Sequence, residues 1–341
     1  MTPKERVSAQ LQHRETDYIP YARLSFDSDV ANRLDAYYGS PEWRSRVDNE
    51  IRSVPSAEAG MGPGDVAYHR DPFGSLWRFD RLPFHQEEPG LKHPSFDGYR
   101  FPTVDEFFPD GWRDAALEAI ERNLGYFVVT GFGFGLFERT WAVRGLENIL
   151  MDSLAHPGFY DELTARVAEL QIAIIEKLVT LPVDGIMFSD DWGDQRGVLL
   201  GPETWRRFIK PHLSRMYDIV HRAGKYALSH CCGNVADIVP DLIEIGLDAL
   251  QSVQPEAMDP YELKRLYGRD ITFWGGLGSQ RTIPFGTPDG IRAEVARLCE
   301  VMGRGGGYIL GPAKALMPET PTENAAAVVE AMLGQAGQKP I

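Results

Sequence analysis

The stretch Asp184-Gly-Ile-Met-Phe-Ser-Asp-Asp-Trp-Gly193 carries a short apolar run that ends abruptly in polar and charged residues. The same construction returns at Lys225-Tyr-Ala-Leu-Ser-His-Cys-Cys-Gly-Asn234. Runs this short, bounded by Gly and charged residues, read as strands. Between the two, residues 202–223 space their apolar positions like a helix, opened by Pro202. Strand, helix, strand is the decisive pattern. Working outward, it continues with strands at 126–130, 248–253, 271–275 and 307–310. Helices are predicted at 138–150, 159–181, 235–245, 260–267, 288–302 and 321–333. Such alternation makes βα units and a parallel sheet. A succession of units with no sign of a sheet edge predicts a closed (β/α)8 TIM barrel of class α/β, with a doubly wound open sheet as the alternative.

Towards the N-terminus, residues 2–13 read as a helix capped by Thr2, with Pro3 in its first turn and Glu5 completing a capping box. Residues 17–23 read as a first strand. Residues 27–125 are rich in Pro, Gly, Asp and aromatics, so an irregular, insertion-rich region is expected, with helical patches at 103–108 and 112–123. The whole chain, 1–341, reads as a single barrel domain.

Composition narrows the function. The chain sets 35 basic against 49 acidic residues, a formal net charge of −14, which repels a phosphate backbone and an anionic membrane. Nucleic acid is therefore discounted. No apolar run approaches the roughly 18 residues of a membrane span, and the N-terminus lacks a signal-peptide core. Three cysteines make no disulfide framework. A cytoplasmic enzyme is expected. Oligomeric state is not read from the sequence.

In a barrel the chemistry sits where the strands end. Asp190, Asp191 and Trp192 follow one run, and His230, Cys231 and Cys232 follow the next. Gln251, Trp274 and Lys314 follow later ones, and Arg23 stands near the end of the first. Period-two alternation puts His230 and Cys232 on one face and turns Cys231 towards the helices. Imidazole and thiolate on one face suit zinc. The competing reading is that both cysteines are core packing. Alternation likewise lets one of Asp190 and Asp191 face the barrel mouth, as acid, base or cation ligand, while a capping role is the alternative. Arg23 can meet a substrate carboxylate or form a structural ion pair. Gly131-Phe-Gly-Phe-Gly135 lacks dinucleotide spacing and suits a mobile aromatic loop as well as a phosphate site. Cys299 shares a helical face with Val295 and Met302 and reads as core.

Four stretches together resemble the uroporphyrinogen decarboxylase superfamily. They are 184–193, His230-Cys-Cys-Gly-Asn234, Ile271-Thr-Phe-Trp-Gly-Gly276 and Pro318-Glu-Thr-Pro-Thr-Glu-Asn324. The resemblance implies a (β/α)8 barrel. Where the true decarboxylases carry Met-Arg-Gln-Ala-Gly-Arg, this chain reads Ala22-Arg-Leu-Ser-Phe-Asp27, leaving Arg23 as the one counterpart. The corrinoid-linked methyltransferase branch is closer, since its His-x-Cys-Gly-Asn zinc motif matches His230, Cys232, Gly233 and Asn234. That branch adds a cysteine after the last strand; here Gly311-Pro-Ala-Lys-Ala-Leu-Met-Pro318 has none. Asp190, Asp191 or Glu319 is then expected to complete the metal site. The resemblance implies a zinc-dependent methyltransferase of one-carbon metabolism, working with a corrinoid held by a partner protein. Phe132, Trp192 and Trp274 are expected to line an aromatic pocket, with Arg23, Gln251 and Lys314 as further substrate contacts. A metal-free decarboxylase and a non-catalytic tetrapyrrole or corrinoid binder are the alternatives.

Overall fold

The computed structural model describes residues 1–57, 67–81, 84–339 and 341. Among the described residues there are ten strands, β1 (Ile51–Ser53), β2 (Tyr68–Arg70), β3 (Leu76–Arg78), β4 (His85–Glu88), β5 (Phe127–Gly131), β6 (Gly185–Ser189), β7 (Tyr226–His230), β8 (Ala249–Val253), β9 (Thr272–Leu277) and β10 (Tyr308–Pro312). Seven of them form one parallel sheet in the order β1-β5-β6-β7-β8-β9-β10.

Hydrogen bonds from one short segment join the two edges of this sheet. The Leu310 N–H donates to Pro20 O at 2.9 Å, the Ala22 N–H to Leu310 O at 3.0 Å, and the Glu50 N–H to Tyr21 O at 2.9 Å. Residues 20–22 thus stand where an eighth strand would. The expected strand at 17–23 shrinks to a single bridge, Tyr21 to Leu310. Pro20 has no N–H to give, and Arg23 turns into left-handed backbone at φ 59°. Region 27–125 holds more order than its composition suggests. It supplies the barrel strand β1 and a separate antiparallel sheet, β2-β3-β4.

Alternation along the strands sorts the core into two parts. Phe127, Val129, Met187, Leu228, Ala249, Trp274 and Ile309 pack together inside the barrel. Their neighbours Val128, Ile186, Phe188, Ala227, Leu250, Phe273 and Leu310 pack outward against the helices. The helix Pro3–Leu11, with its Thr2–Glu5 capping box, inserts Val7 and Leu11 into the interior cluster and closes the bottom.

Pro sits in the first turn of the helices starting at Pro157, Pro202, Lys210, Val239, Pro260 and Pro288. There its fixed φ preorganises the first turn and no backbone bond is lost. The single helix expected at 138–150 is two, Leu136–Arg144 and Leu146–Ala155, parted by Gly145 at φ 92°. That expected at 202–223 breaks at Ile209 into Pro202–Phe208 and Lys210–Arg222.

Candidate metal and active site

The register of the sheet aligns Ser189 with His230 and His230 with Gln251, so three strand ends arrive level at the mouth. The loops after β6 and β7 then press against each other. A Cβ on Gly193 would lie 2.8 Å from Asn234 O, and one on Gly233, at φ 81°, 2.5 Å from the Gly193 backbone. Only glycine at both positions lets the loops touch. The contact brings the Asp191 carboxylate over the Cys232 amide, whose N–H donates to Oδ1 at 2.7 Å.

Asp191, His230 and Cys232 form one cluster, their ligand atoms all within 4.8 Å of one another. Cys232 Sγ lies 3.4 Å and Asp191 Oδ1 3.6 Å from His230 Nε2. Behind the ring, His230 Nδ1 meets Gln251 Oε1, which also takes a hydrogen bond from Arg23 Nη1 at 2.9 Å. Burial, then the Arg23 charge, lowers the His230 pKa, which favours the neutral ring. Burial, reinforced by Asp191, pushes the Cys232 thiol up to about 11. The chemistry of this donor set fits a divalent cation: a neutral imidazole, a carboxylate, and a thiol that needs a positive charge to ionise at neutral pH.

Their sequence neighbours go the other way. Cys231 is fully buried in the helical layer, where its Sγ accepts the Trp192 N–H at 3.2 Å. Asp190 is 1 % exposed. Its carboxylate accepts the Phe137 N–H at 2.9 Å, the Glu138 N–H at 2.8 Å and Trp192 Nε1–H at 2.7 Å. It therefore caps the helix Leu136–Arg144 from across the barrel wall. Trp192 is buried against Trp205, and Trp274 stands in the barrel interior. Phe132 is nearly buried edge-on to Phe188. The rest of its loop is pinned by aromatic contacts, Phe134 resting on Trp77 and Trp141. Gln251 is wholly enclosed. Lys314 is exposed, and its charge acts on both His230 and Cys232. Glu319 is exposed and is not part of the cluster among the described residues.

One group escaped the sequence reading. Glu138 is 8 % exposed and lies near Cys232, Asp190 and Asp191. Burial, then the Asp190 and Asp191 charges, raises its pKa strongly. Asp190 has three N–H donors, so of this pair Glu138 is the one that holds a proton. A carboxylate in the first turn of the helix after the aromatic loop was the only signal available.

Residues 115–334 match the family described as Uroporphyrinogen decarboxylase (URO-D). Among curated proteins, the Methylcobamide:CoM methyltransferase MtaA of Methanosarcina barkeri is 30% identical over 163 residues, 48% of this chain and 45% of that protein. A uroporphyrinogen decarboxylase of Coxiella burnetii is 26% identical over 179 residues, 52% of this chain and 47% of that protein. The chain thus spans about half the length of these relatives. A solved structure described as a methyltransferase from Methanosarcina mazei superposes with TM-score 0.69 at 19% identity, covering 97% of this chain and 98% of that one. That likeness supports the barrel fold. The chain belongs to the uroporphyrinogen decarboxylase family.

Proposed function

We propose that this member of the uroporphyrinogen decarboxylase family is a zinc-dependent methyltransferase whose metal is held by Asp191, His230 and Cys232. One observation carries the reading: nitrogen, sulfur and oxygen donors lie within 4.8 Å of one another at the C-terminal mouth of the barrel. In this reading Asp191, after β6, serves as the third ligand, since the segment 311–318 after β10 has no cysteine. Three protein ligands leave a fourth position open, the pattern of catalytic rather than structural zinc. Zinc, when bound, supplies the charge that makes a thiol ionise at neutral pH.

The chain's own groups do the rest. Asp191 holds the Cys232 backbone and sets the angle at which its sulfur faces the pocket. Lys314 and the nitrogens of Arg23 not engaged with Gln251 place positive charge beside the cluster, suiting a small anionic substrate. The relation to a methylcobamide-dependent enzyme supports a methyl group carried on the corrinoid of a separate partner protein. Uroporphyrinogen turnover fits poorly, because Arg23 is the one counterpart here of the decarboxylases' arginine-bearing stretch and that substrate brings many carboxylates.

The test is zinc analysis of the purified protein, combined with methyl transfer from free methylcobalamin to a small anionic thiol. About one zinc per chain and thioether formation are expected. Coproporphyrinogen from uroporphyrinogen, with no thioether from zinc-loaded protein, would contradict the reading.

A further inference from the structure

Behind His230 two donors converge on one oxygen. Gln251 is fully buried, and His230 Nδ1 and Arg23 Nη1 both reach its Oε1. A guanidinium only donates. The Gln251 atom facing Arg23 is therefore the carbonyl oxygen. The same oxygen faces His230 Nδ1, so Nδ1 carries the proton. In the neutral ring Nε2 then keeps its lone pair, aimed at Cys232 Sγ and Asp191 Oδ1. At the other end of the amide, Gln251 Nε2 is buried with no hydrogen-bond partner among the described residues. Nothing on that side fixes which way the amide faces. Arg23 does, from a left-handed backbone conformation uncommon for a residue with a Cβ.

We propose that Arg23 and Gln251 are positioning residues that act in series: Arg23 orients the Gln251 amide, and Gln251 sets the His230 tautomer that presents Nε2 to a metal. The consequence for zinc rests on the reading above. The tautomer itself belongs to the metal-free protein. Against the expectation that Gln251 contacts substrate, an enclosed Gln251 with its oxygen doubly engaged has no acceptor to offer one.

The experiment is a long-range proton–nitrogen correlation on histidine-labelled, metal-free protein, with His230→Ala identifying the His230 signals. The wild type is expected to show the Nδ1–H tautomer. Gln251→Leu removes the acceptor and is expected to mix the tautomers and weaken zinc binding by about ten- to a hundredfold, the usual effect of losing an outer-shell partner. Gln251→Glu keeps an acceptor oxygen and is expected to retain Nδ1–H. Arg23→Met, at an exposed position that threatens the fold less, frees the amide to turn and is expected to lower the Nδ1–H fraction. An Nε2–H tautomer in the wild type overturns the proposal, as do Arg23→Met and Gln251→Leu spectra identical to wild type. If the tautomers shift as expected while the wild type binds no zinc, the relay stands and the metal reading falls.

Discussion

Two pairs of sequence neighbours, Asp190–Asp191 and Cys231–Cys232, part company in the same way. Asp190 and Cys231 turn into the helical layer and are fully enclosed. Asp191 and Cys232 turn to the barrel mouth and meet His230. Identical chemical groups one residue apart thus serve two purposes, one holding the wall and the other facing the solvent end. Residue type does not separate them. The pleat does, because a strand sends successive side chains to opposite faces, and the two loops continue that alternation past the strand ends.

Substitutions at the two pairs probe this division. Cys232→Ser removes the proposed sulfur ligand, and zinc affinity is expected to fall by more than about a hundredfold, since even outer-shell losses reach that range. Competition with a chelating dye measures it, and thermal unfolding of the metal-free protein should barely change. Asp190→Ala strips the acceptor from two helix amides and the Trp192 indole. A loss of about 3 kcal/mol in stability is expected from a buried cap with several donors. Zinc stoichiometry of the folded protein should stay unchanged. If Asp190→Ala instead loses zinc at full stability, the division between the two aspartates is wrong.

A smaller effect follows from pH. The Cys232 thiol, held up at about 11, must release a proton for the cation to bind. His230, its pKa lowered, has already done so at neutral pH. Zinc affinity is therefore expected to rise about tenfold per pH unit from 7 to 9, the mark of one proton released per ion. In Cys232→Ser that slope should flatten. The smallest effect belongs to Cys231→Ser. It places a hydroxyl in an apolar layer, with an expected loss of about 1 kcal/mol in denaturant unfolding and zinc affinity as in the wild type.

From residue 126 onward the barrel was legible, because each strand is an apolar run closed by a polar residue. β1 was not. Its three residues, set between Asp-Asn-Glu and Val-Pro, carry no periodic signal, and Ile51 is recognisable as core only once paired with Phe127. Within the site, His230 and Cys232 were legible from alternation alone. The division of labour between Asp190 and Asp191 was visible only as an alternative. Its resolution depends on helix Leu136–Arg144, a contact between residues 53 apart in the chain. The role of Gln251 was hidden for the same reason: only the β7–β8 register sets it beside His230. Glu319 was expected as a ligand from the resemblance, and the chain after β10 instead leaves it on the surface.

The proposed site holds a cation by one sulfur and two lighter donors from three different chain positions. X-ray absorption at the zinc edge of the reconstituted protein measures this directly. A single sulfur at about 2.3 Å with nitrogen and oxygen at about 2.0–2.1 Å is expected, and no sulfur in Cys232→Ser. Two sulfurs in the wild type, or an unchanged spectrum in Cys232→Ser, would contradict it.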